Sequence, residues 1–336
     1  MKILVTDYAW NDLEIERAIL QKIGATLIAA KEGSERELRE LAEGVDGILT
    51  NWKPVTERVI ENAAKCKAIG RYGVGLDNID VLSATTAGIV VTNVPTYCLE
   101  EVAEHAMALL LSLARKVTFF DRAIKSGRYD LAAGTPLFRV AGKTLGIIGF
   151  GRIGRRMAEK ARAFGLQVLV FSRSANANAD LGAGIERASF SDVLASSDFI
   201  SIHLPLTSET RHLFGYETFG QMKRTAFIIN TARGDVLDPA SLLRALDDGL
   251  IAGAGLDVFA PEPPRPDDPL ILHRRVVATP HAAFNSVESS QFLRTTAAEQ
   301  MVELLSGTVP QFVVNPQVFS QSNLRIALHG TRTAGG

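Results

Sequence analysis

What this sequence lacks narrows it first. Among its 336 residues only Cys66 and Cys98 are cysteines, too few for a disulfide framework or a thiolate metal cluster, so no metal centre is expected. Neither sign of charge prevails: 36 Lys and Arg stand against 37 Asp and Glu, a net charge of -1. With a sequence pI near 6.6, that balance offers no general attraction for nucleic acid or an anionic membrane surface. The longest apolar stretch, near Ala106–Ala114, is too short to cross a bilayer. Met1–Tyr8 has a charge and then a strand-like run, not the succession of a secretion signal, so a cytoplasmic protein is expected. No segment recurs at the periods of solenoid repeats.

What is present is length and alternation. A hydrophobic content of 46% over 336 residues supports a sizeable core and two domains. Ile3–Val5, Thr26–Ala29, Gly47–Leu49, Ala68–Ile69 and Ile89–Val91 read as strands, and Asp12–Ile23, Ser34–Ala42, Thr56–Ala64 and Val81–Ala87 as the helices between them. Such alternation predicts a parallel sheet with helices on both faces. It resumes at Thr144, with further strands at Gln167–Phe171, Phe199–His203, Ala226–Asn230, Ala252–Leu256 and Val276–Ala278. Glu100–Lys125 reads as one long helix, apolar on more than one face, which predicts burial against a second surface such as another subunit. His105 on that helix reads as a structural histidine. Ser286–Ser306 is a further long helix, Val309–Pro316 is extended, and Gln317–Gly336 lacks sustained periodicity and is expected to be a mobile tail.

The second half opens on Thr144–Gly154, TLGIIGFGRIG. A buried-strand pattern runs into Gly149-Phe150-Gly151-Arg152-Ile153-Gly154 and then into a helical pattern. Strand, G-x-G-x-x-G turn and helix in that order form a dinucleotide-binding fingerprint. Gly149 permits the tight turn, Gly151 removes a Cβ from the pyrophosphate path, and Gly154 lets helix and strand approach. The next strand ends Phe171-Ser172-Arg173-Ser174, without the carboxylate that accepts the 2′-OH of NAD. Two hydroxyls flank a guanidinium whose charge and fork suit a 2′-phosphate. NADP(H) is therefore expected, with NAD(H) held by other contacts as the alternative.

Candidate chemistry gathers at strand ends, where open α/β sheets bind ligands. Arg71–Asn78 holds Gly73, Val74 and Gly75, either an ordinary glycine turn or a set of N–H groups for a small anion. Arg233 follows Asn230-Thr231-Ala232. Glu262 lies in Asp257–Pro263, and His281 in Thr279–Phe284. Each alone could be a surface loop residue. Together they suit 2-oxo acid reduction. A histidine supplies a proton near neutral pH, a neighbouring carboxylate favours its charged form, and an arginine holds the substrate carboxylate and polarises the carbonyl.

At these residues the chain resembles the D-isomer-specific 2-hydroxyacid dehydrogenases, from about residue 40 to residue 316. The resemblance rests on Gly73-Val74-Gly75-Leu76-Asp77-Asn78-Ile79-Asp80, the fingerprint, Asn230-Thr231-Ala232-Arg233-Gly234, Gly255-Leu256-Asp257-Val258-Phe259 with Glu262-Pro263, and Thr279-Pro280-His281. It implies an α/β chain of two doubly wound parallel-sheet domains. A Rossmann-type coenzyme domain would span 99–284, and a discontinuous flavodoxin-like substrate domain 1–98 and 285–316. It implies His281 as acid/base, Glu262 as its partner, Arg233 as substrate anchor, carboxylate binding by the backbone around Val74, and nicotinamide contact by Asp257. Coenzyme contacts are expected from Gly149, Gly151, Arg152, Ile153, Gly154, Ser172, Arg173, Ser174, His203, Pro205, Thr231 and Ala232. It also implies a homodimer built on Glu100–Lys125.

The Arg71–Asp80 and Thr279–Phe284 segments look most like the branch holding the C-terminal-binding-protein corepressors and their bacterial relatives. Ser172-Arg173-Ser174 looks like NADPH-using glyoxylate/hydroxypyruvate reductases. Thr96 stands where the motif beginning Asn93-Val94-Pro95 usually continues with Gly. No stretch with the length of the regulatory domain of many phosphoglycerate dehydrogenases follows residue 316. Trp52, Tyr97 and Phe284, with Asn51 and Lys53, are candidates to touch the substrate side chain, which leaves glyoxylate, hydroxypyruvate and bulkier 2-oxo acids open. The competing reading is a dinucleotide-sensing, corepressor-like scaffold with little turnover.

Overall fold

Short runs of Val, Ile and Leu, closed by glycine or polar residues, set the strands. The computed structural model describes residues 1–173 and 181–328. They fall into two compact units, one of Met1–Tyr97 with the chain from Ser286 onward, the other of Cys98–Asn285.

In the first unit β1 (Lys2–Val5), β2 (Thr26–Ala29), β3 (Gly47–Thr50), β4 (Ala68–Arg71) and β5 (Val90–Thr92) pair in parallel, in the order β2-β1-β3-β4-β5. This is the flavodoxin-like order of a doubly wound sheet. β3, β4 and β5 are buried throughout, which is why they read as continuous apolar runs rather than alternating ones. The helix Val287–Leu305 starts at a capping box of Ser286 and Ser289, satisfying its first N–H groups. Its Leu293, Ala297, Met301 and Leu304 join Ile3, Val5 and Leu49 in one core.

The segment after residue 316 differs from expectation: residues 317–328 are packed. Val318 and Ile326 are buried. Arg325 Nη1 donates to the carbonyls of Ala63 (2.7 Å) and Cys66 (3.1 Å), and Asn323 Nδ2 to that of Thr86 (2.8 Å). These partners lie far away in sequence, so no local periodicity announces them.

In the second unit β6 (Thr144–Ile148), β7 (Gln167–Phe171), β8 (Ile185–Arg187), β9 (Phe199–Ile202), β10 (Phe227–Asn230), β11 (Gly253–Leu256) and β12 (Val276–Ala278) form a parallel sheet. Its order is β12-β11-β10-β9-β6-β7-β8. The order reverses between β6 and β9, and the carboxyl ends of strands beside such a reversal are where doubly wound sheets take ligands. β8 escapes sequence reading because it is a three-residue edge strand with two exposed positions.

The expected single helix over Glu100–Lys125 is two, Leu99–Arg115 and Val117–Lys125, parted at Lys116 with φ 53. No Gly or Pro marks the break, and Lys rarely takes this left-handed conformation. The apolar faces of the first helix are covered inside the unit. Val102, Ala103, Ala106, Met107, Leu109, Leu110 and Leu113 are buried, the helix lying against Arg152–Ala163, β10 and β11. Its two-faced apolarity therefore does not require a second subunit. Large apolar side chains are exposed further on, at Val117, Ile124, Tyr129, Leu131 and Phe138. No helix among the described residues is long and apolar enough to cross a membrane.

Candidate active site

β6 ends at Ile148 and the chain turns at Gly149, whose φ is +100. A Cβ on Gly149 would lie 2.5 Å from the His203 carbonyl oxygen, and one on Gly154 would overlap the Gly149 carbonyl, whereas Gly151 faces open space. Gly151 also opens the helix Arg152–Ala163 without a side-chain cap. The first N–H groups of that helix, in the turn holding Arg152 and Ile153, thus border an open cradle suited to a pyrophosphate. These residues fit a dinucleotide.

Other predicted coenzyme residues ring the neighbouring strand ends. His203 follows β9, with Nε2 2.9 Å from Ser201 Oγ. Burial pushes its pKa down to about 4, so it is neutral at pH 7. Pro205 is exposed in the same loop. After β10, the Thr231 hydroxyl is buried with no partner among the described residues, beside Ala232. Ser172 and Arg173 follow β7, and the Arg173 guanidinium pairs with the Glu209 carboxylate. Ser174 lies outside the described residues.

Arg233, Glu262 and His281 stand in the loops after β10, β11 and β12. His281 Nδ1 and Glu262 Oε2 are 2.8 Å apart. The second carboxylate oxygen, Oε1, accepts the Phe259 N–H at 2.7 Å, so the carboxylate is oriented from both sides. Burial acts to raise the Glu262 pKa, but the His281 hydrogen bond and charge, the Phe259 N–H and the Arg233 charge outweigh it, and the pKa is lowered. Arg233 Nη1 donates to the Ala232 carbonyl at 2.8 Å. The Phe284 ring meets the His281 ring edge-on, with centroids 6.1 Å apart.

His281 itself sits at φ 53, a conformation that a non-glycine residue holds only where its surroundings impose it. Asp257 imposes it. Its carboxylate accepts Thr279 Oγ1 (2.6 Å) and the N–H groups of Ala282 and Ala283 (2.8 Å each), and its carbonyl accepts the His281 N–H at 2.8 Å. Asp257, expected from the sequence as a nicotinamide contact, has no exposed surface in this structure and holds the histidine loop. His105 Nε2 completes this cluster, 2.9 Å from Thr279 Oγ1.

Gly234 decides whether the loops can meet. A Cβ there would overlap the Phe259 carbonyl and the Ala260 nitrogen. Gly234→Ala must therefore push the Glu262 loop away from the Arg233 turn. The expected outcome is a loss of kcat of roughly 100-fold, the scale of a displacement of about 1 Å at a site, with coenzyme affinity unchanged. Steady-state kinetics with coenzyme titration checks it, and an unaltered kcat removes the argument.

The remaining predicted substrate residues belong to the first unit. Asp7 accepts the N–H groups of Asn51 (3.1 Å), Trp52 (2.8 Å) and Lys53 (3.1 Å), fixing the loop after β3. Trp52 is exposed and Tyr97 half-buried. Gly73 is buried and Val74 exposed. Arg71, buried at the end of β4, ties this loop to the previous one, donating from Nε to Asn78 Oδ1 (3.0 Å) and from Nη1 to Asn51 Oδ1 (3.2 Å) and to the Tyr72 carbonyl.

Asp7, Arg71, Thr279, Gly234 and Glu209 have no assigned part in the sequence reading, whereas His105 reads there as a structural histidine. Arg71, Thr279 and Gly234 sit inside quoted motifs, which is the signal that could have found them. Asp7 and Glu209 carry none, because their partners are distant in sequence.

Residues 107–283 match the family profile described as D-isomer specific 2-hydroxyacid dehydrogenase, NAD binding domain. The chain belongs to the D-isomer-specific 2-hydroxyacid dehydrogenase family. It is 42% identical over 268 residues to a glyoxylate reductase of Korarchaeum cryptofilum, covering 79% of this chain and 81% of that one. It is 37% identical over 327 residues to a D-3-phosphoglycerate dehydrogenase of Methanocaldococcus jannaschii, covering 96% of this chain but only 61% of that longer relative. A D-lactate dehydrogenase from Aquifex aeolicus, solved with NAD and lactic acid, is similar with a TM-score of 0.82 at 27% identity, covering 98% of this chain and 100% of that one. This dehydrogenase is thus an oxidoreductase using a nicotinamide dinucleotide, and its two parallel α/β sheets are those of its family.

Proposed function

We propose that this dehydrogenase is an NADPH-preferring reductase of small 2-oxo acids that forms the D-2-hydroxy acid and runs in reverse on it. The observation that carries the reading is the His281–Glu262 pair at 2.8 Å, with the Arg233 charge acting on the same carboxylate. When bound, a reduced nicotinamide supplies a hydride to the carbonyl carbon. Nδ1 of His281 is engaged by Glu262, which leaves Nε2 to give its proton to the carbonyl oxygen. Glu262 balances the imidazolium before that transfer and fixes the ring. Arg233 pairs with the substrate carboxylate and polarises the carbonyl; in the first unit, the backbone from Gly73 to Gly75 is the candidate carboxylate-binding turn. Trp52 and Tyr97 in the first unit and Phe284 in the second are the candidates for contact with the substrate side chain.

The coenzyme preference is argued from Arg173 at the end of β7, where no carboxylate stands. A homodimer built on Glu100–Lys125 is part of the same reading, and Val117 and Ile124 are exposed within that stretch. A scaffold that only senses dinucleotide has no use for an oriented histidine–carboxylate pair, so the corepressor-like alternative is the weaker one.

The test is a series of 2-oxo acids of graded size, from glyoxylate and hydroxypyruvate upward, each run with NADH and NADPH. Consumption of reduced nicotinamide, faster with NADPH and dependent on the 2-oxo acid, is expected. Binding of NADPH with no turnover of any member would return the scaffold reading. Light scattering of the same sample should give twice the 36.3 kDa chain mass.

A further inference from the structure

The carboxylate missing from the end of β7 is supplied from elsewhere. Arg173 follows β7 and Glu209 lies in the turn after β9, 36 residues apart in sequence, yet their side chains form an ion pair. In the sheet, β6 lies between β7 and β9. The pair therefore spans the carboxyl end of β6, where the Gly149–Gly154 turn begins. Both partners are mostly exposed, at 59% and 67% of their side-chain surface, so the pair is weak and easily exchanged.

Glu209 is presented from a firm base. Thr210 is buried. Its hydroxyl donates to the Pro205 carbonyl at 2.7 Å and accepts the Thr207 N–H at 2.8 Å. The next cation, Arg211, is engaged by Asp235. The anion opposite Arg173 is thus held in place by its turn and is not neutralised by its neighbour.

We propose that Glu209 is a coenzyme-discriminating residue, and that the choice between NADP(H) and NAD(H) is set by the Arg173–Glu209 pair rather than by Arg173 alone. This rests on the coenzyme reading given above. A 2′-phosphate that takes the Arg173 guanidinium either displaces the Glu209 carboxylate or shares the guanidinium with it, and in both cases it faces that negative charge. A 2′-hydroxyl instead finds in Glu209 an acceptor of the kind usually carried at the end of the second strand. Glu209 therefore opposes the phosphorylated coenzyme and favours the other, narrowing the preference that Arg173 confers.

Calorimetric titration of the whole protein with NADP+ and NAD+ tests this without knowledge of the substrate. Glu209→Gln keeps the size and removes the charge. It is expected to tighten NADP+ by roughly fivefold, the upper end for an exposed pair, without tightening NAD+. Arg173→Ala is expected to weaken NADP+ selectively and to shrink the effect of a second Glu209→Gln change to the direct repulsion of the 2′-phosphate. Both exposed positions leave folding intact, which melting curves verify. If Arg173→Ala weakens NADP+ while Glu209→Gln changes neither coenzyme, or both equally, the proposal falls and the coenzyme reading stands. If Arg173→Ala leaves the NADP+ to NAD+ ratio unchanged, the coenzyme reading itself falls, and the proposal with it.

Discussion

His281→Gln lowers kcat for 2-oxo acid reduction by roughly 100- to 10,000-fold, the range that a positioned acid/base contributes. Binding of NADPH is expected to stay intact, because the fingerprint turn and its helix form a separate part of the sheet edge. The effect is large because the structure devotes several groups to this one ring. Glu262 meets Nδ1 at 2.8 Å, and the buried Asp257 carboxylate accepts the Thr279 hydroxyl before the ring's residue and the Ala282 and Ala283 N–H groups after it. The left-handed φ of 53 at His281 is sustained by those bonds. Glu262→Gln keeps a hydrogen bond to the ring and loses the charge, so a smaller loss is expected from it.

The pH dependence follows with a definite sign. The Glu262 pKa is lowered in the fold because its hydrogen bonds and neighbouring charges outweigh the upward push of burial. Its stabilising contribution is therefore full above the pKa of the unfolded chain and is lost as pH falls through the lower folded value. The Glu262–His281 pair should persist on moderate acidification and fail only below the ordinary carboxylate range. Measuring kcat against pH for wild type and Glu262→Gln checks this. Wild-type turnover in His281→Gln would remove the assigned proton donor.

Glu16→Ala is expected to cost about 3–5 kcal/mol of stability, the range for breaking a buried ion pair. Glu16 is wholly buried, and its two oxygens accept Arg294 Nε and Nη2 at 2.9 Å each. Arg294 Nη2 reaches the Asp12 carboxylate at 2.8 Å, and the guanidinium lies over the Trp10 ring at 5.2 Å. Burial acts against the Arg294 charge, but Glu16 and Asp12 more than compensate and its pKa is raised. Without Glu16 the guanidinium stays in an apolar setting with only the half-exposed Asp12 to balance it. The pair joins the helix Val287–Leu305 to Glu14–Leu20, so the first unit should melt earlier, by roughly 10 °C. Replacing both partners together, Glu16→Leu with Arg294→Met, should recover most of the loss, since an apolar pair carries no unpaired charge. Thermal melting of the wild type and the two variants decides it, and an unchanged Tm in Glu16→Ala would refute it.

The reach of sequence reasoning differs from place to place in this chain. β3, β4, β6 and β9 were legible because strands buried on both faces must be apolar throughout. The fingerprint turn was legible because the positive φ of Gly149 and the close approach of Gly154 to the Gly149 carbonyl are demands that act within a few residues. Lys116 gave no sign of its helix break, since it uses a conformation that glycine or asparagine normally marks. The burial of both faces of Leu99–Arg115 inside one unit was equally hidden, because an apolar face records that something covers it and not what does.

The amino-acid order by itself determined the alternation of strand and helix, the phosphate-binding turn and the residue types at the strand ends. All of these depend on neighbours a few positions apart. Only the tertiary structure decided that Asp257 holds the histidine loop, that Gly234 lets the Glu262 loop approach Arg233, and that Glu209 faces Arg173. Each depends on which strands lie side by side, and hydrogen bonds and charges act over a few ångströms of space regardless of separation along the chain.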